Sequence, residues 1–336
     1  MEVIKITIGS LNKRKLLFLL SIFLIGIISI STINGANAAN INIDPDTPGG
    51  IKKAVKIAND SDTIFLKEGV YKGVNNVKIT IKKNITIHGL NSKVVIDGQG
   101  KNQIFTVSGK KVSLINLKLI KGYSLDKGGA IYHKSGDLTL VNCSFTENKA
   151  YNGGAIYSYK NKLSVISSDF IKNKAEKYGG AIYSEKVKMT VSKSTFTNNI
   201  AVKENAGAIY NKNISTINKC TFTNNKAKNY GGAIVTYAKL TISESTFTNN
   251  QAQLDGGAII TSAKLSVSSS NFVSNKAKRN GGAICGENGL TSSVNIFNSK
   301  FSKNIAGKIY KAIHTYQKSK LTKRNVSITP KDGTKV

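Results

Sequence analysis

At 336 residues, with 40% hydrophobic and 20% charged side chains, the chain can bury a sizeable core and is too apolar for a disordered polymer. Lysine and arginine number 49 against 18 acidic residues, a formal charge of +31, which favours anionic partners such as acidic glycans, wall polymers or phospholipid. Arginine occurs only as Arg14, Arg279 and Arg324 in a chain rich in Lys, Asn and Ile, so codon bias is a competing source of that charge, and no nucleic-acid recognition motif accompanies it.

The N-terminus reads as an address. Lys13, Arg14 and Lys15 precede an apolar run from Leu16 to Ile33, and Ala36-Asn37-Ala38 completes a secretory signal with cutting expected before Ala39. An apolar run of ~20 residues also spans a bilayer. Residues 1–38 are therefore a signal peptide, or an anchor if uncleaved, and the protein is expected to be secreted or at the cell surface. A membrane contact is expected only through this segment, if it is retained.

Residues 39–62 form an N-terminal cap. Ile51, Ala54, Val55 and Ala58 follow Pro48-Gly49-Gly50 at helical spacing, which predicts a short amphipathic helix. Residues 63–127 hold short alternating runs at 63–66, 77–81, 85–88, 94–96, 104–107 and 112–120, separated by glycines, and read as irregular opening rungs. Regular repeats occupy residues 128–316. Residues 317–336 are a degenerate last rung or a tail.

The regular region repeats one pattern seven times: an opening built on Gly-Gly-Ala-Ile, two alternating runs, then Phe-x-x-Asn-x-Ala. The phenylalanines are Phe145, Phe170, Phe196, Phe222, Phe247, Phe272 and Phe301, spaced by 25 or 26 residues and finally 29. A fixed period of this length specifies a solenoid. Leu240-x-Ile242 and Ser245-x-Phe247 are period-two pairs, so the unit is built of strands. Each repeat has room for three short strands and three bends. The predicted fold is all-β: a single-stranded right-handed parallel β-helix closed by the short capping helix.

Stacking turns each inward position into a ladder. Phenylalanine rings fill the interior. Asn148, Asn173, Asn199, Asn225, Asn250, Asn275 and Asn304 form an amide ladder, because an amide both donates and accepts. Cys143 and Cys220 take a small position that is otherwise serine and lie three rungs apart, ~14 Å, too far for a disulfide. Cys285 lies in a third register. All three are expected to be small buried fillers, with no metal site and no redox role.

The pairing of Gly-Gly-Ala-Ile with Phe-x-x-Asn resembles the repeats of chlamydial polymorphic outer membrane proteins. It resembles more closely still the adhesin-like surface proteins of methanogenic archaea, on a pectin-lyase-like right-handed β-helix. Asp62-Thr63-Ile64-Phe65-Leu66, Gly69-Val70-Tyr71 and Val95-Ile96-Asp97-Gly98 look like the first rungs of such helices. The resemblance covers residues 40 to 315 and implies a surface protein that adheres.

Glycoside hydrolysis needs two carboxyl groups ~5–9.5 Å apart. In the regular rungs only Glu204 and Asp255 share a register, two rungs apart in a loop, while Asp60, Asp62 and Glu68 read as cap and turn acids. His88, His133 and His314 are isolated. No cofactor, metal or catalytic residue is assigned. Two lysine stripes stand outward: first Lys149, Lys174, Lys226 and Lys276, four residues after Phe, and second Lys162, Lys188, Lys239 and Lys264, eight before it. They suit a linear polyanion. Tyr132, Tyr157, Tyr183 and Tyr210 form a third stripe, a glycan platform if the rings face water and packing if they do not. Asn-x-Ser/Thr acceptors occur at Asn59, Asn84, Asn142, Asn213 and Asn325. The expected function is a non-enzymatic, monomeric, adhesin-like surface protein that binds surface glycans or anionic cell-wall polymers. The alternatives are a purely structural surface protein, or a polysaccharide lyase or hydrolase with a site in the opening rungs.

Overall fold

The computed structural model describes residues 38–287, 292–307, 312–316 and 319–329. Residues 1–37, which hold the signal expected from the sequence, lie outside the described residues. Strands occupy nearly all regular structure, and among the described residues the helix Gly50–Ile57 is the single exception. Every strand pairs in parallel with its equivalent one rung away, as in Phe222↔Phe247 and Ala227↔Ala252. The molecule is a parallel β-solenoid.

Each regular rung has four straight segments where the sequence reading allotted three. Around Phe247 they are Ile234–Thr236, Leu240–Ser243, Thr246–Thr248 and Gln251–Ala252. The first two segments belong to one 20-stranded sheet, joined where Ile156–Ile166 and Ile182–Ser192 run through the corner unbroken. The phenylalanine segments form an 11-stranded sheet and the alanine segments a 7-stranded one.

Period-two alternation decides which side chains are buried. Leu240 and Ile242 are buried while Thr241 and Ser243 stay half exposed. The phenylalanine rings stack through the middle at 4.6–4.7 Å with planes within 6° of parallel. Burying each ring stabilises by about 1.5–3 kcal/mol. Asn225 shows how the amide ladder spans three rungs. Its backbone N–H and its Nδ2 both donate to Asn250 Oδ1 at 3.0 Å, and Nδ2 also donates to the Phe196 carbonyl at 2.8 Å. The bend is thereby tied to the rungs on both sides.

The glycine pair serves two different needs. The first glycine takes a left-handed conformation, φ 62° at Gly231, and the second has no room for a side chain, since a Cβ on Gly232 would lie 2.1 Å from the Gly257 carbonyl oxygen. At the N-terminal end the helix turns Ile51, Ala54 and Val55 into the core, and Ile51 N–H donates to the buried Asn76 Oδ1 at 3.0 Å. At the other end Lys320–Arg324 and Ser327–Thr329 add a further pair of strands, with Ile328 in register with Phe301.

Candidate functional site: a basic groove on the alanine sheet

The outward positions of the alanine sheet carry the first lysine stripe. Lys149 and Lys174 are direct ladder partners, and Tyr123 stands in the same register one rung earlier. Towards the C-terminus the register continues Ile200, Lys226, Gln251, Lys276, Ile305, so uncharged residues interrupt the lysines. The other stripe lies on the long sheet. Lys162 and Lys188 are ladder partners there, Ile214 interrupts, and Lys239 and Lys264 follow. All eight lysines are exposed.

Where the first stripe begins, the surface is hollowed. A depression of about 550 Å³ is lined by Lys121, Tyr123, Glu147, Lys149, Lys172 and Lys174. It runs into a second of about 290 Å³ bordered by Leu125, Tyr151 and Glu176. Leu125 is 83% exposed and Tyr151 42%, unusual openness for apolar side chains beside a cationic wall. Glu176 is taken up by Lys203 at 2.7 Å, and that hydrogen bond lowers its carboxyl below the usual range. Lys121, Lys149, Lys172 and Lys174 form no ion pair with a described residue. The groove therefore offers four ammonium groups outside any ion pair, with the Glu147 carboxylate among them, beside aromatic and aliphatic surface.

The tyrosine stripe is placed differently. Ile131, Ile156, Ile182 and Ile209 enter the main core, while Tyr157, Tyr183 and Tyr210 point the other way into a separate cluster with Val235, Ile260 and Cys285. Tyr159, Tyr178 and Tyr230 pack against that cluster, and Tyr132 is half-buried at its edge. Tyr157 stacks on Tyr183 at 4.7 Å and 11°, and Tyr183 on Tyr210 at 5.1 Å and 7°. The ring faces are thus occupied by one another, and Lys212 stands 5.6 Å and 5.9 Å from the Tyr183 and Tyr210 centroids. Tyr157 donates its hydroxyl to Glu185 at 2.6 Å; burial and that carboxylate raise its phenol. The stripe packs the corner and leaves little ring face for a sugar.

Other reactive groups are held in structural roles. The three thiols are free and buried, and burial pushes Cys143 up to about 12 and Cys220 up to about 11. Asp60 accepts from the backbone of Asn84, Asp62 from Ala39 and Asn59, and Asp97 from Gln99 within its own turn. Glu68 lies 3.6 Å from Lys93. Buried Asp255 receives Arg279 Nε at 2.9 Å and the Asn280 backbone N–H at 2.9 Å. His88 meets Asn116 at 3.1 Å and the Phe65 ring.

Sequence reasoning identified Lys149 and Lys174 and missed Tyr123, Tyr151, Leu125, Lys121 and Lys172. A signal existed: Leu119 pairs with Phe145 and fills the phenylalanine slot of the preceding rung, so Tyr123 stands four residues after it.

Comparison with known proteins adds a likeness of the repeats. The Chlamydia polymorphic membrane protein repeat matches residues 142–159, 167–185, 193–212, 219–237, 244–262 and 269–287. Among curated proteins nothing matches. Among solved structures the chain is similar to a mannuronic-acid-specific family 6 polysaccharide lyase from the human gut microbiota. That likeness has 11% identity and a TM-score of 0.36, covering 84% of this chain and 82% of that one. Six consecutive rungs of this parallel β-solenoid, within residues 142–287, are thus similar to the Chlamydia polymorphic membrane protein repeat.

Proposed function

We propose that the protein is an exported, non-enzymatic, adhesin-like surface protein that holds anionic glycans or anionic wall polymers in the groove around Lys149 and Lys174. The observation that carries this reading is the groove itself. Four lysines without ion pairs converge there beside Tyr123, Tyr151 and Leu125. Ammonium groups meet carboxylate or sulfate, and the open apolar surface meets the faces of sugar rings. Lys149 and Lys174 stand on adjacent rungs and Lys226 and Lys276 recur further along the same face, which suits an extended polymer better than a compact ligand. The repeats, shared with a membrane-protein family, support a place at the cell surface.

A glycan array containing neutral, uronic-acid and sulfated chains tests it. The expected result is binding to acidic chains that weakens with salt and falls roughly tenfold or more in Lys149→Glu/Lys174→Glu. Lys78→Glu/Lys82→Glu, which changes net charge equally, is expected to bind as wild type. Equal loss in both variants, or no binding above a charge-matched protein, leaves the purely structural alternative. Turnover of a uronic-acid polymer assayed with Ca²⁺ would overturn the non-enzymatic part.

A further inference from the structure

We propose that the capped, N-terminal end of the solenoid seats on an anionic lipid surface, independently of what the groove binds. The helix Gly50–Ile57 buries one face and leaves Lys52, Lys53 and Lys56 on the other. Across from it, Lys78, Lys82 and Lys83 flank the strand Ile79–Ile81. Lys52, Lys56, Lys78, Lys82 and Lys83 line one depression of about 420 Å³ whose wall contains no carboxylate. None of the five forms an ion pair with a described residue. Lys83 is the least available of the five, since its Nζ donates to the Lys56 carbonyl at 2.7 Å near Asp62, and the acids nearest in sequence accept backbone hydrogen bonds, Asp60 from Asn84 and Asp62 from Ala39 and Asn59.

Two apolar side chains stand in water beside these lysines. Ile57, at the end of the helix, is 57% exposed, and Val74 is 74% exposed. Val74 lies at the other end of the helix, next to Asn75, whose carbonyl accepts from Lys52 N–H at 2.9 Å. A soluble polyanion would satisfy the lysines and leave Ile57 and Val74 in water. A bilayer takes both, with ammonium groups at the phosphates and the apolar side chains at the acyl boundary. The chain also enters the fold here, since Ala39 N–H donates to Asp62 Oδ1 at 2.7 Å and Thr63 N–H to the Ala39 carbonyl at 3.0 Å. The described chain therefore enters the solenoid at its basic end.

The test uses the full chain carrying Val74→Cys labelled with an environment-sensitive fluorophore; the three native thiols are buried. Vesicles of phosphatidylcholine alone are compared with vesicles containing roughly one-third phosphatidylglycerol. A blue shift and protection from an aqueous quencher are expected on the anionic vesicles only, reversed by high salt. This readout reports contact at Val74 even if the apolar run inserts in both membranes. Lys52→Glu/Lys56→Glu/Lys82→Glu is expected to weaken anionic-vesicle binding on the order of 100-fold, at roughly fivefold per lysine. The glutamine triple, a milder change should the charge reversals disturb the cap, is expected to lose less but in the same direction. Lys239→Glu/Lys264→Glu/Lys276→Glu alters net charge equally on other faces and is expected to retain binding. An unshifted Val74 label on anionic vesicles, an equal shift on neutral ones, or equal weakening in the control triple would overturn the proposal.

Discussion

His133 occupies an inner corner where the following rungs place Ser158, Ser184, Asn211, Thr236 and Thr261. Its ring is fully buried between Ser158 Oγ at 2.7 Å and the Gly136 carbonyl at 2.9 Å. Burial disfavours the charged imidazolium and pulls the group from 6.5 down to about 4. Between those values the unfolded chain binds the proton and the folded chain does not, so acidification favours unfolding. The contribution is complete above pH 6.5 and is lost as pH falls towards 4, at most about 3 kcal/mol. His133→Ser, which adopts the residue type of the next rung, is expected to flatten stability across that window. Urea unfolding of both proteins through the window checks it, and an unchanged slope in the variant would assign the pH dependence to other groups.

Turns set limits of their own on what the chain tolerates. Two corners in each regular rung are left-handed at non-glycine residues. Examples are Lys193, Lys219 and Glu244 before the phenylalanine segment and Lys172, Asn198 and Asn224 after it, all with φ between 47° and 57°. A sequence reader finds glycine corners easily and Lys or Glu corners not at all, because the local cost of about 1–2 kcal/mol runs against propensity. Stacking of equivalent turns overrides that preference. The glycine-pair corner is also left-handed, and in one repeat Ala206 replaces the first glycine with φ 66°. Ala206→Gly removes strain of about 1–2 kcal/mol and adds about 0.4–1 kcal/mol of unfolded-chain entropy. A net gain of about 0.5–1 kcal/mol follows, seen as a rise in Tm of roughly 2–4 °C per kcal/mol. Gly179→Ala is expected to lose stability, since its new Cβ would lie 2.2 Å from the Ile182 carbonyl oxygen. A neutral or destabilising Ala206→Gly would show that the corner has relaxed around the alanine.

Across the whole molecule, legibility follows regularity. The ladders of Phe and Asn announce themselves because each rung repeats one physical requirement, whereas the groove lies where repetition starts and draws Tyr123 and Lys121 from a rung with Leu119 in the phenylalanine slot. The orientation of the tyrosines was open for a related reason: both faces of Ile156–Tyr157–Ser158 are buried, so alternation carries no sign. The same one-dimensional build governs how the fold opens. Rungs touch mainly their neighbours, so opening starts at the ends and the less buried end opens first. The C-terminal strands are less covered: Leu321 is half-buried where its ladder partner Val294 is buried, and Ile328 is half-buried where Phe301 is buried. At the cap end Ile64 and Leu66 are fully buried beside the first strand, Asn40–Ile43, against which the helix packs. The burial missing from one large side chain is about 1.5 kcal/mol or more, which corresponds to roughly tenfold faster opening. Amide exchange in Lys320–Arg324 is therefore expected to run at least about tenfold ahead of Thr63–Leu66, with the latter tracking the central rungs around Phe222. Mass-spectrometric exchange on the intact chain reads this directly, and equal rates in the two segments would mean that the first strand and the helix packed on it do not protect the rung beside them.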